Sequence, residues 1–184
     1  AGRSGGCGVA GRPASGPHDR CTVLMPHCSP RRRELIARAA GAVSALAMPR
    51  LGMWPLLALT LPVLVLLLDG VRARATGVRA AFGPAFGLGW CFGLGYFVAG
   101  LWWIGAAFLV QADDFAWLMP FAVLGLPAYL ALYTGLGASA CMLLWPRGPA
   151  RFLGFAALMT GTEWLRGTLL TGFPWNNFGY ALGN

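Results

Sequence analysis

Two oppositely charged residues, Glu163 and Arg166, lie three positions apart in a chain that is otherwise largely apolar. On a helix, residues at this spacing share a face and can pair. A charged side chain within a bilayer costs about 2.5–3.5 kcal/mol on insertion scales, so such residues usually have a defined role. The guanidinium of arginine binds phosphate well, because its planar fork presents several donors. The pair therefore indicates a cavity into which a polar head group enters.

A run of aromatic and amide side chains follows this charged pair. Glycines and a proline interrupt the helix there, while aromatic residues alternate with Asn176 and Asn177. Non-helical backbone at membrane depth needs polar partners or a wet cavity. We predict that the substrate-binding residues are Glu163, Arg166, Trp175, Asn177 and Tyr180.

A structural explanation of both features stays open at this point. Glu163 and Arg166 can form an ion pair that faces the bundle and sets the register of the helix. The aromatic residues that follow can be interfacial anchors, as tryptophan and tyrosine often are at this depth. The two asparagines favour a cavity over simple anchoring.

The composition predicts an integral membrane protein. Of the 184 residues, 57% are hydrophobic and 11% are charged, whereas soluble domains carry about 25% charged residues. The net charge of +8 raises the possibility of a nucleic-acid partner. However, the arginines lie beside apolar runs, which is typical of membrane topology rather than of phosphate-backbone binding. We therefore expect a membrane protein with no nucleic-acid partner.

The apolar runs predict an all-α fold, a polytopic transmembrane helix bundle of about five spans. A basic tail over residues 1–34, rich in Gly, Pro, Ser and Arg, is expected to be disordered. Glycines at a spacing of four, such as Gly83 with Gly87 and Gly89 with Gly93, are typical of close helix packing. The domain over residues 35–184 is predicted to contain spans at about 35–48, 51–68, 81–110, 117–145 and 152–173.

Arginine placement predicts the orientation of these spans. Arginines cluster before the first span, between the second and third, and between the fourth and fifth. The alternate loops contain Arg50 in one case and Asp113 with Asp114 in the other. The positive-inside rule then places the N-terminus in the cytoplasm and the charged pair near the opposite face.

The cysteines predict neither a disulfide framework nor a metal site. Cys91 and Cys141 lie in apolar runs and are expected to be small buried side chains. In the tail, His18, Cys21 and His27 with Cys28 match no usual zinc spacing. We expect no metal and no cofactor.

The strings TEWLRG, from Thr162, and TGFPWNNFGY, from Thr171, closely resemble the corresponding stretch of the apolipoprotein N-acyltransferase family. Two upstream strings, WCFGLGYF from Trp90 and AYLALYTGL from Ala128, resemble the preceding helices of that family, as does Trp102-Trp103-Ile104. The resemblance covers roughly residues 35–184.

The resemblance implies a multi-pass enzyme of the bacterial inner membrane with eight helices and a nitrilase-like periplasmic domain. Such enzymes transfer an acyl chain from a phospholipid donor to the diacylglyceryl-cysteine of an apolipoprotein acceptor. The reaction passes through a thioester on a cysteine, with a glutamate base and a lysine. This sequence contains no lysine, so the resemblance implies that no catalytic residue lies here and that Glu163 is not the catalytic glutamate.

The chain starts at Ala1 and stops at Asn184, just past the motif, so we expect a fragment that is inactive alone. Its expected contribution is to hold acyl chains between helices beneath the catalytic domain. Two other functions stay open. One is a fragment of a transporter or channel, with Glu163 and Arg166 on a translocation path, although no inverted repeat is visible. The other is a non-catalytic membrane scaffold.

Overall fold

The structure, a computed structural model, describes residues 29–47, 53–110, 116–146, 148–169 and 176–179. In these ranges the regular secondary structure is entirely helical, which confirms the predicted all-α class. A 3-10 turn (Ala116–Leu118) and a π-helical turn (Phe121–Gly125) precede the helix that begins at Leu126. The helices are α1 (Pro30–Ala45), α2 (Pro55–Arg74), α3 (Val78–Leu101), α4 (Ile104–Phe108), α5 (Leu126–Cys141) and α6 (Ala150–Thr168).

Three helices of the described part are long and apolar enough to cross a membrane. They are α2, α3 and the continuous helical stretch Phe121–Cys141, which joins the π-helical turn to α5. Helix α1 has 16 residues, and α6 carries Arg151, Glu163 and Arg166 within 19 residues. The crossings assigned to these two helices therefore stay predictions.

The predicted boundary of the disordered tail, residue 34, lies inside the first helix. Helix α1 begins at Pro30, so residues 30–34 are helical, whereas residues 1–28 lie outside the described part. The reason is a favourable helix start: the Ser29 side chain accepts a hydrogen bond from the backbone N–H of Arg32, and Pro30 occupies the first turn.

The long apolar run over residues 81–110 does not form one helix. Helix α3 begins earlier, at Val78, and ends at Leu101; a turn at Trp102 and Trp103 then leads into the short α4. A single helix over thirty residues would rise about 45 Å, more than the hydrocarbon core of about 30 Å. The chain avoids this excess length by dividing the run between α3 and α4.

Helix α3 lies at the centre, and small residues let its neighbours approach it closely. On the α1 side, the space that a Cβ at Gly41 would need is occupied by the Phe92 carbonyl oxygen. On the α5 side, a Cβ at Gly89 would lie 2.7 Å from the Thr134 carbonyl oxygen. The prediction that these glycines serve helix packing is therefore confirmed for Gly89 and also for Gly93.

Polar contacts join α2 to the beginning of α6 at one end of the bundle. An Arg151 Nη1 lies 2.8 Å from Asp69 Oδ2, and Trp145 Nε1 donates a hydrogen bond of 2.8 Å to Asp69 Oδ1. Because α1 and α3 also begin here and α2 ends here, this end carries many arginines; we call it the basic end. The charged pair of α6 lies toward the other end, since Glu163 is about 18 Å of helical rise beyond Arg151.

Candidate functional site

Helix α6 presents Glu163 and Arg166 toward the bundle. Arg166 is 3% exposed and Glu163 is half-buried, whereas Trp164 between them is 68% exposed. The helical period therefore separates an inward face with two charges from an outward face with a tryptophan. Because a buried charge is costly unless it has partners, the contacts of these two side chains determine what the site can do.

Both charged side chains bind one short segment, Asn176–Gly179, which we call the closing segment. Glu163 Oε1 accepts a hydrogen bond of 2.8 Å from the backbone N–H of Phe178. Arg166 Nη2 donates a hydrogen bond to the Asn177 side-chain oxygen. The pair thus holds in place a short segment that is not α-helical, as such backbone in a membrane protein requires.

Aromatic residues of α3 hold the same segment from the other side. The Phe178 ring centroid lies 4.7 Å from that of Tyr96 and 6.3 Å from that of Phe92. The Tyr96 hydroxyl donates a hydrogen bond of 3.0 Å to the backbone carbonyl of Asn176. Tyr96 is 1% exposed, so its hydroxyl requires such a partner.

Phe97 completes the surroundings of the arginine. The guanidinium carbon of Arg166 lies 4.8 Å from the centre of the Phe97 ring. A cation over an aromatic face gains about 2 kcal/mol when both groups are desolvated. Arg166 is therefore stabilised by a ring on one helix and by a hydrogen bond to the closing segment.

The closing segment enters the bundle through an unusual backbone conformation at Asn176. Its φ is +53°, in the left-handed region that asparagine tolerates better than most residues. The side-chain nitrogen of Asn176 occupies the space that a Cβ at residue 100 would need, so Gly100 permits this approach. That nitrogen is buried and has no hydrogen-bond partner among the described residues.

A small cleft remains between α3, α5 and α6 beside the charged pair. Its volume is about 10 Å³, which is room for about one water molecule. The Phe178 ring forms part of its wall. The lining residues are Phe97, Tyr133, Thr134, Met159, Thr162, Glu163, Arg166 and Phe178.

The cleft contains no group able to act as a covalent nucleophile by thiolate chemistry, since no described lining residue is a cysteine. Cys91 and Cys141 are buried and free. Among the residues that the structure describes, no three His, Cys, Asp or Glu side chains lie close enough to hold a metal ion. The arrangement binds and positions the backbone of the closing segment.

Three of the five residues predicted as substrate-binding lie together: Glu163, Arg166 and Asn177. Trp175 and Tyr180 lie outside the described residues. Sequence reasoning missed Tyr96, Phe97 and Phe178, which pack against the pair or its segment. The only signal for the first two was their place in the motif WCFGLGYF, which indicates a helix but not its partner.

Asp69 was missed for a different reason. It is a single acidic residue just past a predicted span, and sequence alone does not show that Arg151, 82 positions later, lies 2.8 Å away. The contact lies at the basic end, away from the charged pair of α6.

Comparisons with known proteins assign the chain to a family. The family model described as "Apolipoprotein N-acyltransferase N-terminal domain" matches residues 40–184. Two proteins named apolipoprotein N-acyltransferase, from Rhodopseudomonas palustris and Agrobacterium fabrum, are 56% and 51% identical to this chain over 151 residues. One from Bradyrhizobium diazoefficiens is 56% identical over 152 residues. Each match covers 82% of this chain and 28% of the relative.

This chain thus spans little more than a quarter of the length of those relatives. The resemblance that the TEWLRG and TGFPWNNFGY strings indicate is confirmed, and so is the predicted membrane-helix character. The chain belongs to the apolipoprotein N-acyltransferase N-terminal domain family.

Proposed function

We propose that the chain is the N-terminal membrane portion of an enzyme that transfers an acyl chain from a phospholipid to the N-terminal diacylglyceryl-cysteine of apolipoproteins. The observation that carries this proposal is the family match over residues 40–184. The enzyme would lie in the bacterial inner membrane. The nucleophilic cysteine, the glutamate base and the lysine would belong to the remaining length that the relatives possess.

The proposed reaction has two steps. A cysteine thiolate attacks the ester carbonyl of the phospholipid, the ester C–O bond breaks, and the lysophospholipid leaves with a proton. The free α-amine of the apolipoprotein then attacks the thioester, the C–S bond breaks, and an amide forms while the amine proton passes to the glutamate base and the cysteine thiolate is released. A cation beside the carbonyl oxygen stabilises the negative charge that develops in each step.

The membrane portion would position the substrates rather than react with them. Glu163 and Arg166 hold the closing segment, and Trp175 and Tyr180 flank that segment in the sequence. We propose that these residues form the entrance through which a polar head group reaches the catalytic domain. Because the cleft now has room for about one water molecule, an acyl chain would enter only when Phe178 moves away.

The proposal includes an orientation. The arginines of the basic end favour the cytoplasmic side, so the N-terminus would be cytoplasmic and the closing segment would face the periplasm. A membrane-impermeant thiol reagent tests this with single cysteines introduced at Arg31 and at Asn184 in cells. Labelling of position 184 alone is expected, whereas equal accessibility of both positions would contradict the orientation.

The activity is tested with the full-length natural protein that carries this chain, reconstituted in vesicles. The vesicles contain a phospholipid with a labelled acyl chain, and a synthetic diacylglyceryl-cysteine peptide is added. Transfer of label to the peptide amine, through a thioester that hydroxylamine releases, is expected. An intact, folded protein that transfers no label would overturn the proposed activity.

The role of the charged pair is tested in the same protein with Glu163→Gln and Arg166→Gln. Both are expected to lower acyl transfer at least tenfold, because the entrance loses its positioning contacts. Arg38→Gln is a matched control, since Arg38 is an exposed arginine of α1. Wild-type kcat and KM in both site variants, with normal folding, would show that the pair only packs.

The structural role is the second candidate, and one observation favours it. The carboxylate and the guanidinium are both engaged by protein atoms of the closing segment. If this is their whole function, the variants lower thermal stability while kcat and KM of the remaining folded protein stay unchanged. An increase in KM for the phospholipid at unchanged stability would instead support the substrate-binding role.

A further inference from the structure

A second cavity lies at the basic end, far from the charged pair of α6. It has a volume of about 490 Å³, within the range of about 300–1,000 Å³ that small-molecule sites occupy. The beginning of α1, the end of α2 and the first half of α3 form its walls. The lining residues are Pro30, Arg33, Glu34, Val71, Arg74, Ala75, Thr76, Ala80, Gly83, Pro84, Gly87 and Leu88.

Two glycines of α3 keep this groove open. A Cβ added at Gly83 or at Gly87 would meet no atom within 4 Å. The prediction that Gly83 and Gly87 serve close helix packing is therefore wrong, whereas it holds for Gly89 and Gly93 further along the same helix. Glycine within a helix costs about 1 kcal/mol relative to alanine. Gly83 and Gly87 therefore lower the stability of α3, and no close helix contact at these positions compensates for it.

The groove has the depth and polarity of a lipid site. From Ala80 to Leu88 is about 12 Å of helical rise, most of one leaflet in a hydrocarbon core of about 30 Å. Its most buried lining residues include Leu88 and Val71, whose apolar side chains suit an acyl chain. Its rim carries Arg33 and Arg74, which suit a phosphate.

The charged residues around the groove favour one class of phospholipid head group. Glu34 is the one acidic residue that lines the groove, against Arg33 and Arg74, and Arg72 and Arg79 lie on the adjoining helix ends. Arginines beside a membrane surface attract anionic lipids by about 1 kcal/mol each. A net positive rim therefore favours an anionic head group over a zwitterionic one.

We propose that this groove binds one glycerophospholipid with a net anionic head group, with an acyl chain over Gly83 and Gly87 and the phosphate between Arg33 and Arg74. The site lies at the opposite end from the closing segment, so it is separate from the acyl donor of the proposed reaction. It requires only that the basic end meets a leaflet, whichever side of the membrane that is.

Native mass spectrometry of the full-length protein, with phosphatidylglycerol or phosphatidylethanolamine added, tests this proposal. We expect the wild-type protein to retain one phosphatidylglycerol at least ten times more strongly than phosphatidylethanolamine. The variant Gly83→Leu/Gly87→Leu should lose retention of that lipid, because its side chains fill the groove without meeting protein. Gly161→Leu is the matched control, since a Cβ there also meets nothing within 4 Å and Gly161 lines neither cavity.

A second variant addresses the head group alone. Arg33→Gln/Arg74→Gln should abolish the tenfold preference while leaving binding of both lipids through the acyl chain, and Arg38→Gln should keep the preference. Equal retention of both lipids by the wild-type protein, or unchanged retention by the double glycine variant, would overturn the proposal.

Increased retention after deletion of residues 1–28 would assign the groove to that segment instead. Acyl transfer measured in parallel reports on the proposed function separately, because loss of lipid retention does not require loss of transfer.

Discussion

The two ends of the bundle use arginine in opposite ways. At the end with Glu163, the guanidinium of Arg166 is buried and is bound by a ring and by the closing segment, and the adjoining cleft has room for about one water molecule. At the basic end, Arg33 and Arg74 lie at the rim of a groove of about 490 Å³. Arg166 is enclosed by protein and helps to hold the backbone of the closing segment, whereas Arg33 and Arg74 line an open groove, where Arg74 Nη1 donates a hydrogen bond to the Gly70 carbonyl.

The comparison extends to the glycines of the central helix. Gly87 faces open space at the basic end, whereas Gly100, near the other end of α3, faces the side chain of Asn176. Helix α3 therefore borders an open groove beside Gly87, whereas the closing segment fills the space beside Gly100. Substitutions at the two ends would measure this difference.

Arg166→Ala is expected to destabilise the protein by about 3 kcal/mol, since it removes a buried guanidinium with its charged hydrogen bond and leaves the half-buried Asn177 oxygen without its donor. Arg166→Lys should recover part of this loss, because a lysine keeps the charge but not the fork. Thermal unfolding of the purified full-length protein measures both. A loss below about 0.5 kcal/mol for Arg166→Ala would mean that the buried arginine does not stabilise its end of the bundle.

Gly100→Leu is expected to cost about 2 kcal/mol, because the new side chain displaces Asn176 and overpacks the site. Gly87→Leu, the same change in the same helix, should cause no loss of stability and should gain up to about 1 kcal/mol, because a better helix former replaces glycine without meeting protein. Equal stability losses in the two variants would show that the groove at the basic end is closed by packing.

Asp69→Asn is expected to cost about 1–2 kcal/mol, less than the loss of Arg166. The ion pair with Arg151 is partly exposed, with side-chain exposures of 21% and 12%, so solvent screens part of its energy. The variant keeps an oxygen that accepts the Trp145 N–H, so the change isolates the charge. A double-mutant cycle with Arg151→Gln measures the coupling energy; a coupling near zero would contradict the assignment of this contact as the link between α2 and α6.

Trp145→Phe should have the smallest effect, about 1 kcal/mol, because it removes one hydrogen bond to Asp69 and retains most of the ring. In the Asp69→Asn background the same substitution should cost less, since the acceptor is then neutral. Unfolding measurements on the two single variants and the double variant provide this comparison. A loss as large as that of Arg166→Ala would mean that the basic end is as tightly organised as the other end.

Much of the membrane architecture could be predicted from local patterns. Apolar runs place α2 and α3 close to the predicted spans at 51–68 and 81–110, although the helices extend to Arg74 and end at Leu101. The start of α1 was misjudged because Ser29 and Pro30 form a good cap within a stretch whose composition is typical of disorder. The short α4 was missed because hydropathy does not change where the backbone turns at Trp102.

The candidate site divides in the same way. Glu163 and Arg166 were found because charge is rare in this chain, and their spacing places them on one face. Tyr96 and Phe97 were not found, because an aromatic residue in an apolar helix looks the same whether it faces lipid or a buried arginine. The four-residue spacing of Gly83 with Gly87 equals that of Gly89 with Gly93, so the pattern could not tell an open groove from a helix contact.

By itself, the sequence determined the membrane class, the family and the presence of two charges that a bilayer would not tolerate without partners. These properties depend on composition and short-range spacing, which do not change when the chain folds. Only the tertiary structure decided which partners those charges have, and which glycines face protein and which face open space. Both depend on how the chain packs: Arg166 and Glu163 meet partners 11 and 15 residues further along, past the end of their helix, and Tyr96 meets Asn176 from 80 residues away.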